Sequence, residues 1–382
     1  MQFTEQHDQI RRTVGQFVEK EINPHVEAWE AEGIAPLHDI FKKAGDLGLL
    51  GINKPVEYGG LGLDYSYTVA ALEEWGSAAH GSVPLAISVQ TDMATPALAR
   101  FGSEELKRDF LKPAIAGDMV AAIGVSEPHA GSDVAAIKTT ALKRGDDYVI
   151  NGTKMWITNS TQADYICLLA NTSDDQKHQN KSLIIVPTDT PGFSTSERLD
   201  KLGMRASDTA QLFLDDVVVP QRYLIGEEGK GFTYQMMQFQ EERLAGTAIC
   251  IKGLENCIRE TVAYTRERQA FGKPLLENQI INMSLAEMQM EVEALRALTY
   301  RACEMYINGE DPTLLASYAK LKAGKLTRSI PNDCIQYWGG MGYMWDNPVC
   351  RAMRDMRLTS IGGGADEVML GIIGKRMGMM AP

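Results

Sequence analysis

The sequence predicts a mainly α-helical chain with a central β-domain. Two shifts in texture carry that reading. Apolar residues recur at helical spacing over residues 1–120 and again over 226–382, whereas 121–225 holds short β-prone runs broken by turn residues. A third observation sets the scale: 382 residues are enough for two or three domains with a sizeable core.

In the first region, Ile10, Val14, Phe17 and Val18 form one apolar stripe. Pro24 ends or bends that helix, because proline disfavours helix at the residue before it. Leu49–Ile52 lead into the glycine-rich turn at 58–62, and further helices are expected over 66–78, 90–101 and 103–112. The middle region reads as an antiparallel, barrel-like sheet. Asn151-Gly152 carries a hairpin signal, and residues 173–181 read as an exposed loop. The last region returns to helices over 231–268, 279–308, 313–338 and 348–379, a pattern for a four-helix bundle.

Composition excludes several function classes. The formal net charge is −12, which argues against a nucleic-acid binder. No apolar run reaches the roughly 18 residues of a membrane span, and the first residues lack the apolar core of a signal peptide. The six cysteines are dispersed with no CxxC pair, so neither a disulfide scaffold nor structural zinc is expected, and the default compartment is a reducing cytoplasm. The histidines show no ligand spacing, so no metal is expected. No P-loop, Rossmann fingerprint or GxSxG elbow is present; Gly339-Gly340-Met341-Gly342 does not follow a strand in a βαβ unit.

Two longer constellations are more specific. One runs Gly124-Val125-Ser126-Glu127-Pro128-His129-Ala130-Gly131-Ser132-Asp133. The other is Gln336-Tyr337-Trp338-Gly339-Gly340-Met341-Gly342-Tyr343-Met344-Trp345-Asp346, followed by Arg351 and Asp355. Between them stand Lys154-Met155-Trp156-Ile157-Thr158-Asn159 and Arg268-Gln269-Ala270-Phe271-Gly272-Lys273. In this order, and over essentially the whole chain, these segments resemble the acyl-CoA dehydrogenase family. On the residues alone, glycines and small hydroxyl side chains in the first segment let backbone N–H groups approach a ligand.

The resemblance implies an N-terminal α domain (1–120), a middle β-domain (121–225) and a C-terminal four-helix domain (226–382). It implies FAD as cofactor, with Gly124, Val125, Ser126, Ser132, Trp156, Ile157 and Thr158 around the flavin and its phosphate. Arg268, Gln279, Gln336, Gly339 and Gly340 would grip the FAD phosphates and adenine, partly from a neighbouring subunit of a homotetramer. Ala365, Asp366 and Glu367 match positions beside the cofactor, although Ala365 replaces the family's usual threonine. Ser132, Arg243, Gly363 and Gly364 would meet the acyl-CoA, and an electron-transferring flavoprotein would take the electrons.

Dehydrogenation between the α and β carbons of a thioester needs a base for the α-proton. Many family members carry a glutamate for this in a Tyr-Glu-Gly-Thr motif near the C-terminus. Here that stretch reads Ile361-Gly362-Gly363-Gly364-Ala365-Asp366-Glu367, and Gly363 stands at the glutamate position. In the long-chain and isovaleryl branches the base lies in a Glu-Arg-Leu segment instead, which Glu242-Arg243-Leu244 matches. Glu241 is the neighbouring alternative, but adjacent helical residues point about 100° apart, so only one of the two can face a small site. Glu242 is therefore the expected base. The resemblance further implies that the backbone N–H at the motif's glutamate position, here Gly363, donates to the thioester carbonyl. The glycine run resembles citronellyl-CoA-type members, which suggests medium-to-long or methyl-branched chains, with the tail near Leu85, Met93 and Leu98.

Overall fold

The computed structural model of the chain describes residues 1–380 except 175 and 177. Helices come first: α1 (Glu5–Phe17), α2 (Val26–Glu32), α3 (Leu37–Asp46), α4 (Tyr65–Trp75), α5 (Ser82–Ser88), α6 (Pro96–Phe101), α7 (Glu104–Leu106) and α8 (Lys112–Ala116). The stripe of Ile10, Val14, Phe17 and Val18 is buried, as its spacing requires. Before α2 the chain passes through a wide turn over Val18–Ile22 and a tight one over Asn23–His25, the bend that Pro24 imposes.

The β-region holds β1 (Ala121–Gly124), β2 (Thr140–Arg144), β3 (Asp147–Thr158), β4 (Tyr165–Asn171), β5 (Lys181–Pro187), β6 (Phe193–Thr195), β7 (Thr209–Pro220) and β8 (Leu224–Ile225). Their order is β6-β7-β3-β2-β4-β5-β8, with β1 beside β4. Pairing is antiparallel except that β1 and β2 run parallel to β4.

Two expectations about turns change. Asn151-Gly152 is not a hairpin; it lies inside β3 at a register shift against β7. Asn151 and Asp216 of β7 bond each other reciprocally at 2.9 Å, and Gly152, at φ 150°, packs its Cα against Thr139. The residue pair that reads as a turn is thus used for a bulge. The turn between β2 and β3 lies at 145–146 instead, where Arg144 faces Asp147 and Gly145 takes a positive φ. The loop expected over 173–181 ends earlier, since Lys181 is a buried residue of β5; positions 175 and 177 lie outside the described residues.

The helical pattern resumes with α9 (Gly231–Glu267), α10 (Gln279–Ile307) and α11 (Thr313–Trp338); a small hairpin of β9 (Gln269–Ala270) and β10 (Lys273–Pro274) links the first two. The helix expected over 348–379 is broken into α12 (Pro348–Met356) and α13 (Asp366–Arg376). Gly363 and Gly364, at φ 63° and 97°, turn the chain between them, and such left-handed backbone cannot continue a helix.

Two side chains tie the regions together. Asp355 on α12 accepts the backbone N–H of Gly81 at 2.9 Å and of Met204 at 2.5 Å. Arg351, one turn earlier, holds Glu30 of α2 at 3.0 Å. No helix of the described residues is long and apolar enough to cross a membrane.

Candidate active site

The expected base and the expected oxyanion donor meet. A Cβ built on Gly363 would lie 3.2 Å from Oε1 of Glu242, so α9 delivers its carboxyl to the very place a residue-363 side chain would occupy. The Glu242 side chain keeps some exposure while protein surrounds its carboxyl, and burial pushes the carboxyl up to about 7; Lys320 and Arg243 oppose that rise. Glu241 faces elsewhere. It is buried and paired with Arg100 and with the Tyr306 hydroxyl, which donates at 2.5 Å. The angular argument from the helix thus separates the two carboxylates.

Arg243 is buried, and burial lowers its pKa from the usual guanidinium range while Glu242 counteracts this. Its NH1 donates to Gln240 at 3.3 Å, and its Nε has no protein partner. Gly363 N–H donates to no protein acceptor among the described residues. An unengaged amide beside a carboxyl of raised pKa is the pairing that α-proton removal from a thioester requires: a base poised near neutrality and a donor for the carbonyl oxygen.

Lys320 is the residue that sequence reading missed. It is 2% exposed and donates to three carbonyls: Thr359 at 2.6 Å, Gly362 at 3.0 Å and Gly364 at 3.1 Å. A signal was present. Ala316, Ala319, Ala323 and Thr327 form the buried small-residue stripe of α11, and Lys320 lies in it. A lysine on such a face must find partners.

The first constellation is built around a carboxylate. Glu127 accepts from the N–H of Lys138 at 2.7 Å, from the N–H and hydroxyl of Thr139 at 3.0 and 2.6 Å, and from Lys154 Nζ at 2.9 Å. Lys154, fully buried, also donates to the Val125 carbonyl at 3.0 Å. These bonds fix the loop after β1 against β3, where the Met155 N–H reaches the Ser126 carbonyl at 2.9 Å. Val125 and Ile157 are buried in the core, so only their backbones are available to a ligand. Gly124 is small for packing: a Cβ there would come within 2.9 Å of Ile166. Gly131 and Ser132 are exposed, with open space around the Gly131 Cα.

Trp156 is 55% exposed and sits at φ 61° in the second register shift of β3, while Ser126 and Thr158 are half-buried. The left-handed backbone turns the indole outward, at a cost of about 1–2 kcal/mol for a non-glycine residue. A flat apolar face held out by strained backbone, with two half-buried hydroxyls nearby, fits the ring of a flavin. FAD therefore suits these residues.

The remaining candidates gather at the far end of the helices. Arg268 is exposed at the C-terminus of α9, its carbonyl accepting from Leu275 at 2.9 Å, and Gln279 begins α10. Gln336 lies in the last turn of α11, and Gly339-Gly340 follow with nothing near either Cα. Tyr264 stacks on Trp338 with centroids 4.1 Å apart and joins the ends of α9 and α11. Arg268 is 26 residues beyond Glu242 on one helix, which is about 39 Å at 1.5 Å per residue. The chain does not bring the two to one site. Asp366 is buried and held by Arg328 at 2.7 Å, Ala365 caps α13, and Glu367 is exposed. Leu98 is core, and Leu85 and Met93 are half-buried.

Family models of the acyl-CoA dehydrogenase N-terminal, middle and C-terminal domains match residues 4–118, 122–217 and 229–378. The mitochondrial long-chain specific acyl-CoA dehydrogenase of Sus scrofa is 35% identical over 98% of this chain and 87% of its own length. The mitochondrial short-chain specific enzyme of Mus musculus is 36% identical over 96% and 89%. The crystal structure of an acyl-CoA dehydrogenase from Geobacillus kaustophilus superposes with a TM-score of 0.94 at 37% identity, covering 98% of each chain. The chain thus belongs to the acyl-CoA dehydrogenase family, whose members are FAD-dependent enzymes that dehydrogenate acyl-CoA.

Proposed function

We propose that this enzyme converts a medium-to-long or methyl-branched acyl-CoA, citronellyl-CoA included, to its trans-2-enoyl-CoA with Glu242 as base. The supporting observation is the 3.2 Å between Glu242 Oε1 and the Cβ position of Gly363, which sets the carboxyl where the commoner family arrangement has its glutamate. Glu242 takes the α-proton as the Gly363 N–H holds the thioester oxygen and stabilises its developing charge. Bound FAD supplies the acceptor for the β-hydrogen as hydride. Trp156, Ser126, Thr158 and the backbone of Val125 and Ile157 would hold the flavin ring, with Ser132 at the phosphate or the acyl-CoA.

Long-chain and short-chain relatives match at 35% and 36%, so identity leaves the acyl length open and the site must set it. Neighbours already stand against these glycines, Leu358 at Gly362, Glu242 at Gly363 and Met369 at Gly364, so the chain preference rests on the likeness of the glycine run to citronellyl-CoA-type members. The separation of about 39 Å along α9 supports an FAD site that Arg268, Gln279, Gln336, Gly339 and Gly340 complete from a neighbouring subunit, and the family resemblance supports a homotetramer as that assembly. An electron-transferring flavoprotein is the proposed oxidant of the reduced enzyme, and the long-chain or isovaleryl branch the proposed placement.

Anaerobic titration of the yellow holoenzyme with octanoyl-, palmitoyl-, butyryl- and citronellyl-CoA tests this. Flavin bleaching with formation of enoyl-CoA is expected. Failure to bleach with every thioester would leave a binding or scaffold protein. Reoxidation by oxygen that outpaces reoxidation by an electron-transferring flavoprotein would favour an oxygen-using relative.

A further inference from the structure

We propose that Lys320 is a positioning residue for the oxyanion donor: it holds the Gly362–Gly363 peptide so that its N–H points at the thioester carbonyl, and polarises that N–H. The inference rests on Gly363 as donor and deepens that reading.

The geometry runs through one peptide unit. The N–H of Gly363 and the C=O of Gly362 belong to the same planar trans amide and point in opposite directions. Lys320 Nζ binds that C=O at 3.0 Å, which fixes the direction of the N–H on the other side. The same ammonium binds the carbonyls of Thr359 and Gly364 at 2.6 and 3.1 Å, bracketing the unit from both sides. All three ammonium protons are thereby used.

Such an anchor is required because the backbone has little to hold itself. Gly363 and Gly364 occupy left-handed conformations, and glycine loses more freedom on ordering than any other residue. No helix or strand covers 361–365, and among the described residues the N–H groups of Gly363 and Gly364 donate to no protein acceptor. A buried positive charge at the carbonyl also draws electron density from the amide and strengthens its N–H as a donor, an effect enlarged away from water. Glu242 Oε1 lies next to the same glycine, so Lys320 is placed to serve donor and base together.

The test reads the carbonyl directly. Enoyl-CoA labelled with carbon-13 at the thioester carbonyl is bound to holoenzyme, and its infrared stretch is compared with that of the free ligand. Wild type is expected to shift the band to lower frequency. Lys320→Met is expected to lose most of that shift and to slow anaerobic flavin bleaching about 10–100-fold, with enoyl-CoA affinity changing far less. Glu242→Gln is expected to keep the shift while losing bleaching, which separates donor from base.

Should Lys320→Met retain its FAD and the full shift, the inference is overturned even if its bleaching is slow. Absence of any shift in wild type would overturn Gly363 as donor and the inference with it, while leaving Glu242 untouched. Lys320→Gln, neutral and with two donors in place of three, is measured alongside in case the methionine variant does not fold. A partial loss of shift is expected from it, and a full shift there counts against the proposal equally.

Discussion

Replacing Glu242 by glutamine should change activity and stability in opposite directions. Burial raises the Glu242 carboxyl from the ordinary 4.5 to about 7. Proton abstraction needs the carboxylate, so about a tenth of wild-type enzyme is competent at pH 6 and about nine-tenths at pH 8. The rate of flavin bleaching should therefore rise roughly tenfold over that range, and Glu242→Gln should lose about 10²–10⁴-fold at any pH. For stability, the folded state binds this proton more tightly than the unfolded chain. Stability therefore falls as pH rises from about 4.5 to about 7, by at most about 3 kcal/mol once the carboxyl is fully ionised. Glutamine never ionises and escapes that loss. The variant should match wild type at pH 4.5 and exceed it at pH 8. Urea titrations of both proteins at the two pH values, beside stopped-flow bleaching between pH 5.5 and 8.5, measure this. A wild-type profile that is flat across pH 6–8, or a glutamine variant that bleaches at near-normal rate, would refute the reasoning.

Glu241→Gln should leave bleaching within about tenfold but lower stability by about 1.5–3 kcal/mol in denaturant melts, since it weakens the bonds from Arg100 and Tyr306. Gly363→Ala places a Cβ 3.2 Å from Glu242 Oε1 at φ 63°, so kcat should fall at least tenfold with FAD content unchanged; an unaltered kcat would mean the two groups do not share a site. Trp156→Ala should weaken FAD binding at least tenfold by fluorescence titration and leave the apoprotein melting temperature within about 2 °C, because the indole is half-exposed. Light scattering should give a tetramer that loses FAD on dissociation, and a monomer with full FAD would count against the shared site. In kcat/KM, citronellyl- and octanoyl-CoA should exceed butyryl-CoA, as one methylene is worth about 10–200-fold in an apolar pocket.

Helical and β regions were legible because burial imposes periods of 3.6 and 2 on the residues that face the core. Turns were less so. Asn151-Gly152 permits a hairpin, but β7 supplies Asp216 to hold the pair as a bulge, and that partner is 65 residues away. The break between α12 and α13 was missed, a single helix being expected over 348–379, because the left-handed backbone of Gly363 and Gly364 depends on a lysine of α11 that no local pattern shows. At the site, the substitution of glycine at 363 and glutamate at 242 could be read from the family's two arrangements. Lys320 left a signal in the buried small-residue stripe of α11, but the three carbonyls it holds lie 39 to 44 residues further on and nothing local names them. Glu127 was legible as part of a motif, but its four donors come from two stretches outside that motif, at 138–139 and at 154.

The contact at Asp355 bears on how freely this scaffold can be recombined. Its carboxylate grips two main-chain N–H groups, at 81 and 204, which any residue but proline supplies. The junction thus reads the path of the chain, although residue 204, at φ 48°, must be one that tolerates left-handed backbone. Gly203 is tighter still: a Cβ there would sit 2.4 Å from the Arg354 backbone. A chimaera that takes its β-region from a relative of only one-third identity should therefore still seat correctly, provided the graft brings glycine at 203 and a residue at 204 that tolerates left-handed backbone, and the host keeps aspartate at 355.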